Sequence, residues 1–234
     1  MNKILLSPPF SNIKLLSSYK NTTRITGTYT LSPRPGLYRV LTTLRKIKGG
    51  WVNKVGLRNP GILKANSGIV SIAEINVGDF EKMLNLLEAT PNIEGVELNI
   101  SCPNIDAIEL RSEVLAVANR LFENVIVKVP HDISDDKLYA LLEMGDFIIH
   151  VSNTKASPRG GISGRSLINR NISTIKKIKT FQAERKVIGG GGIYDLEVAK
   201  LYFDCGADFL SISTLLLNPY RAIKLMRQIE SELL

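Results

Sequence analysis

Short runs of apolar, mostly β-branched residues recur along the chain, separated by longer stretches whose apolar positions follow helical spacing. The runs predict strands at 13–17, 24–28, 68–73, 95–100, 125–129, 147–151, 186–190 and 208–213. Continuous apolar runs bounded by turn residues suit strands buried on both faces, as in a parallel sheet. The intervening stretches predict helices. Over 79–89, Phe80, Met83, Leu84 and Leu87 form one stripe behind Asp79 as N-cap. Residues 107–122 and 134–144 repeat the pattern, the latter between Ser134 or Asp135 and Gly145, and 171–183, 194–204 and 217–233 complete the set.

Eight strands with helices between most of them predict a compact (β/α)8 TIM barrel, one domain over residues 1–234. One connection is irregular. Only SYKNTT separates 13–17 from 24–28. Parallel neighbours need a longer crossover, so the first crossover helix is expected to be reduced or missing.

Composition narrows the setting. The 234 residues are 44% hydrophobic and 22% charged, which fits one globular domain. No run approaches the roughly 18 apolar residues of a membrane span. The N-terminal apolar stretch is broken by Pro8 and Pro9, so no signal peptide is expected. Two cysteines, Cys102 and Cys205, make no disulfide framework and predict a reducing, cytoplasmic setting. The net charge of +8 favours anions in general, whether phosphate, carboxylate or nucleic acid, and equally fits plain solubility.

The segment richest in chemistry is Asn99-Ile100-Ser101-Cys102-Pro103-Asn104, at the C-terminal end of a predicted strand. In an α/β barrel that end builds the active site. Two amides flanking a cysteine suit a planar polar substrate with an acidic C–H. The same residues also read as a strand-end turn, with Asn104 capping a helix and Cys102 a small buried residue.

VELNISCPN resembles the N-x-S-C/S-P-N signature of the dihydroorotate dehydrogenase family, and cysteine at the fourth position is typical of its soluble class 1 members. Further segments match in family order. Residues 26–36 (TGTYTLSPRPG) resemble T-K-S-x-T-x-x-P-R-x-G, and 53–61 (NKVGLRNPG) resemble N-x-x-G-L-x-N-x-G. Lys128 stands where the family places a lysine against the flavin, and Asn153-Thr154 resembles the substrate-binding N-T/S pair. GGISG at 160–164 resembles the flavin-side turn G-G-x-S-G, GGGGI at 189–193 resembles G-x-G-G-I, and Ser213-Thr214 stands at the final G-T.

The resemblance implies an FMN enzyme oxidising dihydroorotate to orotate in pyrimidine biosynthesis. Cys102 is implied as the base removing the C5 proton. Asn53, Asn99, Asn104, Asn153 and Thr154 are implied to bind substrate. Thr28, Asn99, Lys128, Gly161, Gly191, Gly192, Ser213 and Thr214 are implied to hold FMN. Glycines and a following helix N-terminus suit a phosphate, and the loops after strands seven and eight are the usual phosphate site of a barrel. The resemblance also implies a homodimer and, in some members, a partner subunit carrying FAD and an iron–sulfur cluster. Too few cysteines are present for this chain to hold such a cluster.

The chain departs from the family at several points. Gly27 replaces the lysine between Thr26 and Thr28, removing a charge that in the family serves flavin and substrate; Arg24, Arg34 or Lys54 are the candidates to replace it, and Gly27→Lys is the corresponding restoration. The loop after Asn104 is short, Asn153-Thr154 reaches the GGISG turn through only KASPR, and Leu37 follows Gly36 where the family has asparagine. Two other readings therefore stand beside the first: a flavin-binding barrel that has lost catalysis, and a dihydrouridine synthase-like FMN enzyme. Against the latter, S-C-P-N replaces that family's G-C-P and an RNA-binding domain is missing, so nucleic acid is not the expected partner.

The remaining residues read as structural. His131 and His150 lack metal-ligand spacing, His150 is a strand residue, Cys205 is buried, Trp51 packs beside a turn at Gly49-Gly50, and Asp195 caps a helix.

Overall fold

A computed structural model describes residues 1–11, 19, 21–36, 38–101, 110–151 and 153–234. Eight parallel strands close into a barrel in chain order: β1 (Ile4–Leu6), β2 (Thr22–Tyr29), β5 (Gly68–Ile72), β6 (Ile93–Asn99), β7 (Asn124–Lys128), β8 (Ile148–Val151), β10 (Val187–Gly190) and β11 (Phe209–Ile212), with β11 pairing back to β1. The (β/α)8 barrel is as the hydrophobic pattern predicts, with one strand reassigned.

The first barrel strand is Ile4–Leu6, fully buried and paired with both β2 and β11. The predicted strand at 13–17 lies outside the described residues, and the barrel closes without it. The connection from β1 to β2 therefore runs over residues 7–21, and the anomalously short crossover disappears.

A second, antiparallel sheet was not predicted. It joins β3 (Arg45–Ile47), β4 (Gly50–Asn53) and β9 (Gly161–Gly164), with Asn53 opposite Gly161. Its strands are three or four residues long, and β4 and β9 contain glycines, so they carry little periodicity. A Cβ on Gly50 would sit 1.9 Å from the Ser163 carbonyl oxygen, so glycine is what lets β4 and β9 approach. The sheet bridges residues 30–67 to the turn after β8, above the barrel.

Helices α1 (Arg39–Thr43), α2 (Asp79–Glu88), α3 (Ser112–Leu121), α4 (Asp135–Glu143), α5 (Ile168–Phe181), α6 (Leu196–Asp204) and α7 (Pro219–Glu232) flank these strands. Ser134, Asp195 and Asn218 cap α4, α6 and α7 by accepting backbone N–H bonds from Lys137, Val198 and Arg221. Asp79 differs from expectation. The N-cap of α2 is Gly78, and the Asp79 carboxylate accepts from the backbone of Ile75 and Asn76, closing the turn ahead of the helix. Cys205 is buried in the helix–barrel core, as expected.

The barrel interior is layered. Leu5, Ile25, Ile69, Ile126, Ile188 and Phe209, with Ile148 against them, form an apolar cluster separate from the core beneath the helices. Two residues further along each strand, the pleat returns the chain to the same face. Those positions are Ser7, Gly27, Ser71, Lys128, His150, Gly190 and Ser211, joined by Glu97 from β6. An apolar plug thus supports a polar layer, and the functional cavity opens above it.

Candidate functional site

A cavity of about 1070 Å³ occupies the C-terminal mouth of the barrel. Every predicted site residue within the described segments lines it: Thr28, Asn53, Asn99, Lys128, Asn153, Thr154, Gly161, Gly191, Gly192, Ser213 and Thr214. These come from the ends of β2, β4, β6, β7, β8, β9, β10 and β11, so the convergence is a property of the fold rather than of one loop. Cys102 and Asn104 lie outside the described residues.

The amides are already oriented. Asn99 Nδ2 donates to Thr28 Oγ1 at 3.1 Å, and Asn99 Oδ1 accepts from both the backbone N–H and the hydroxyl of Ser101. Asn153 Nδ2 donates to the Ser101 carbonyl at 2.7 Å, and its Oδ1 accepts the Thr154 N–H at 2.8 Å. Ser101 therefore ties the strand end bearing Asn99 to the one bearing Asn153, directly before Cys102.

The floor is charged and almost dry. Lys128 is 8% exposed, and Glu97 and His150 are fully buried beneath it. Ser71 Oγ donates to Glu97 Oε1 at 2.6 Å, and His150 Nδ1 lies 2.6 Å from Glu97 Oε2. Burial alone would push the Glu97 carboxyl up; the Lys128 ammonium, together with His150 and Ser71, outweighs it and brings the carboxyl down to about 2. Burial also lowers His150 below its ordinary value despite Glu97, so the imidazole is neutral at neutral pH. The pairing of Glu97 with His150 was not foreseen. His150 read as a strand residue, which it is, but periodicity cannot show which polar residue it meets across the barrel.

The rim is cationic. Arg34, Arg39, Lys54 and Arg58 line the cavity with Lys128, and no Asp or Glu stands among the described lining residues. Arg34 Nε is buried without a hydrogen-bond partner among the described residues. Of the three candidates to replace the missing lysine charge, Arg34 and Lys54 reach the cavity and Arg24 does not.

Gly27 is held in a conformation other residues avoid. Its φ is +107°, and a Cβ there would lie 2.5 Å from the Ser71 carbonyl oxygen. The lysine is therefore not simply deleted: the β2 backbone has been reshaped around glycine, and Gly27→Lys does not fit as a restoration.

The opposite wall suits a phosphate. Gly191 and Gly192 are consecutive left-handed residues (φ +85° and +78°) that turn backbone toward the cavity just before α6. Asn171, buried, donates to the Gly190 carbonyl at 2.7 Å, and Tyr202 Oη donates to the Gly190 and Gly191 carbonyls at 2.5 and 2.8 Å, so the turn is braced from behind. The Tyr194 hydroxyl, also on the cavity, is buried beside Thr214 and makes no well-formed hydrogen bond among the described residues. A buried orphan hydroxyl beside a glycine cradle and cationic walls fits an anionic nucleotide such as FMN. Tyr194 was overlooked because the glycine run before it carried the whole signal.

Comparisons with known proteins agree with this geometry. The family model for dihydroorotate dehydrogenase matches residues 144–234. The catalytic subunit of dihydroorotate dehydrogenase B (NAD(+)) from Desulforudis audaxviator is 28% identical over 88% of this chain and 78% of its own length. The same subunit from Oceanobacillus iheyensis is 25% identical over 77% of this chain and 71% of its own. In three dimensions, the Eimeria tenella DHODH crystallised with ferulenol superposes at a TM-score of 0.72, covering 98% of this chain and 82% of that one; at 14% identity that likeness concerns the fold. With family motifs in order from β2 to β11 and their residues gathered at one barrel mouth, the chain is similar to the dihydroorotate dehydrogenase family.

Proposed function

We propose that this protein is an FMN-dependent oxidoreductase converting dihydroorotate to orotate in pyrimidine biosynthesis. The observation that carries the reading is the gathering of Asn53, Asn99, Lys128, Asn153, Thr154 and the Gly191-Gly192 turn around one cavity whose described lining has five cations and no acid. FMN bound there would supply the hydride acceptor. Gly191, Gly192, Ser213, Thr214 and Gly161 would hold its phosphate and flank, and Thr28, Asn99 and Lys128 its ring system. Lys128 stabilises negative charge developing on the cavity floor, because its ammonium is held in a low-dielectric wall.

The substrate is a small anion with amide edges. Arg34 and Lys54 attract its carboxylate, and Asn53, Asn153 and Thr154 hold its polar edge. Fixing the C5–H against the base is chiefly a positioning effect, worth several kcal/mol (up to ~7–11 in well-oriented systems). Cys102, directly after Ser101, whose carbonyl accepts from Asn153, is the base that takes the C5 proton. A thiol near pKa ~8.5 must be lowered, or enclosed with its substrate, to do so at neutral pH.

The relatives named as catalytic subunits support a partner subunit as electron acceptor, and a homodimer is the expected assembly. No described helix is long and apolar enough to cross a membrane, and a cytoplasmic location is part of the proposal.

A specific observation keeps one other reading in view: the glycine-only backbone at Gly27, which suits a barrel that binds flavin without turning over. Anaerobic mixing separates the two. Purified yellow protein should bleach on addition of dihydroorotate, while Cys102→Ala should keep the colour and lose the bleaching by 100-fold or more, roughly the effect of removing a general base. A wild type that stays yellow refutes the turnover and leaves the flavin-binding barrel.

A further inference from the structure

The polar layer below the cavity has a direction. Glu97 is the carboxylate of that layer, and with Lys128 above it both of its oxygens act as acceptors. Ser71 spends its hydrogen on Glu97 Oε1 at 2.6 Å, so at the 3.0 Å contact between Thr28 Oγ1 and Ser71 Oγ the Thr28 hydroxyl is the donor. Asn99 Nδ2 then donates to Thr28 Oγ1 at 3.1 Å. Thr28 is left with a lone pair toward the cavity and no hydrogen to offer. On the other side, His150 donates Nδ1–H to Glu97 Oε2 at 2.6 Å, and its buried Nε2 has no partner. Four residues on four strands are thereby aligned on one carboxylate, which also opposes the charge of Lys128.

We propose that Glu97 is the positioning residue of this site: it fixes the Ser71–Thr28–Asn99 chain so that Thr28 only accepts from the bound ligand, and it offsets the Lys128 charge and so sets the electron affinity of a flavin above it. The proposal rests on the flavin reading. Glu97 touches no ligand itself and acts through the groups it orients. Glu97 and His150 are not otherwise employed in the reaction.

Removing the carboxylate charge leaves Lys128 uncompensated, which favours the reduced, more negative flavin. In FMN-loaded protein, Glu97→Gln should therefore raise the flavin midpoint potential by about 30 mV, a tenfold change in the two-electron equilibrium. Glu97→Asp, which keeps the charge, should return the midpoint toward wild type. A residue that merely supports packing would lower the melting temperature in both variants and leave the midpoint where it was. If Glu97→Gln does not fold, the pair Glu97→Gln/Lys128→Met leaves no buried charge unpaired, and its midpoint should lie above that of Lys128→Met alone. Equal midpoints would overturn the proposal. Nitrogen-15 spectra of the unloaded wild type supply an arm without flavin: His150 should be neutral and protonated on Nδ1, and protonation on Nε2 instead would overturn the orientation of the chain. A wild type that takes up no FMN overturns the flavin reading and this proposal together; yellow wild type with an unmoved or lowered midpoint in Glu97→Gln overturns the proposal alone.

Discussion

Glu97 on β6 and His150 on β8 meet across the intervening strand inside the barrel, Oε2 to Nδ1 at 2.6 Å, with neither side chain exposed. Both groups hold fewer protons when folded than when unfolded. The Glu97 carboxyl is depressed from 4.5 to about 2, so its contribution is complete above its ordinary value and is lost as pH falls through the folded one. His150 is depressed below 6.5, so protons bind the unfolded chain first and stability declines as pH drops below that value. Melting temperature should therefore fall steadily from about pH 6.5 downward, more steeply below 4.5. His150→Gln should flatten the first part of that decline, and an unchanged slope would contradict the assignment.

Gly27 tests the reshaped β2. With φ at +107° and the Ser71 carbonyl oxygen 2.5 Å from where a Cβ would be, Gly27→Ala should destabilise by about 2–3 kcal/mol or more in denaturant unfolding. Gly27→Lys should lose stability in the same way and gain no activity. An active, stable lysine variant would show that the strand can relax to accept a side chain.

Tyr194 offers its buried hydroxyl, without a well-formed hydrogen bond among the described residues, to the cavity next to Thr214. Tyr194→Phe removes only that oxygen. FMN affinity should weaken by about 10- to 100-fold, the usual worth of a hydrogen bond to a charged group (~1.5–3 kcal/mol). Riboflavin, which lacks the phosphate, should bind both forms equally. Equal loss for the two flavins in fluorescence titrations would place the hydroxyl elsewhere.

Arg34 carries a buried Nε at the cavity wall with no hydrogen-bond partner among the described residues, and with Lys54 it is one of the two candidate substitutes for the absent lysine charge that reach the cavity. Arg34→Met should raise KM for dihydroorotate at least tenfold while leaving bound FMN in place. The effect should shrink as ionic strength rises, because the wild-type attraction is itself screened. A change confined to kcat would assign Arg34 to the reaction step instead.

Much of the site was legible from the chain alone. Apolar runs located seven of the eight barrel strands, because strands buried on both faces must be apolar almost throughout. Asn53, Lys128, Asn153 and the Gly191-Gly192 turn were named from segment order, and each falls at a strand or loop end where a barrel exposes its reactive side chains. Ile4–Leu6 was missed because three apolar residues before Pro8 carry no period that distinguishes them from the neighbouring 13–17 run. The β3–β4–β9 sheet was missed for a similar reason: its strands are short, and β4 and β9 are joined by backbone pairing that brings Gly50 against the distant Gly164, which leaves no pattern of side chains.

What the sequence by itself determined was the succession of elements and the chemical character of the strand ends, since both follow from local burial and from residue type. Which polar groups face one another was decided only by closure of the barrel. Glu97 meeting His150, Thr28 receiving Asn99, and Gly27 fitting against Ser71 all depend on strand register and on the rotation between strands, and those are set by how the whole interior packs.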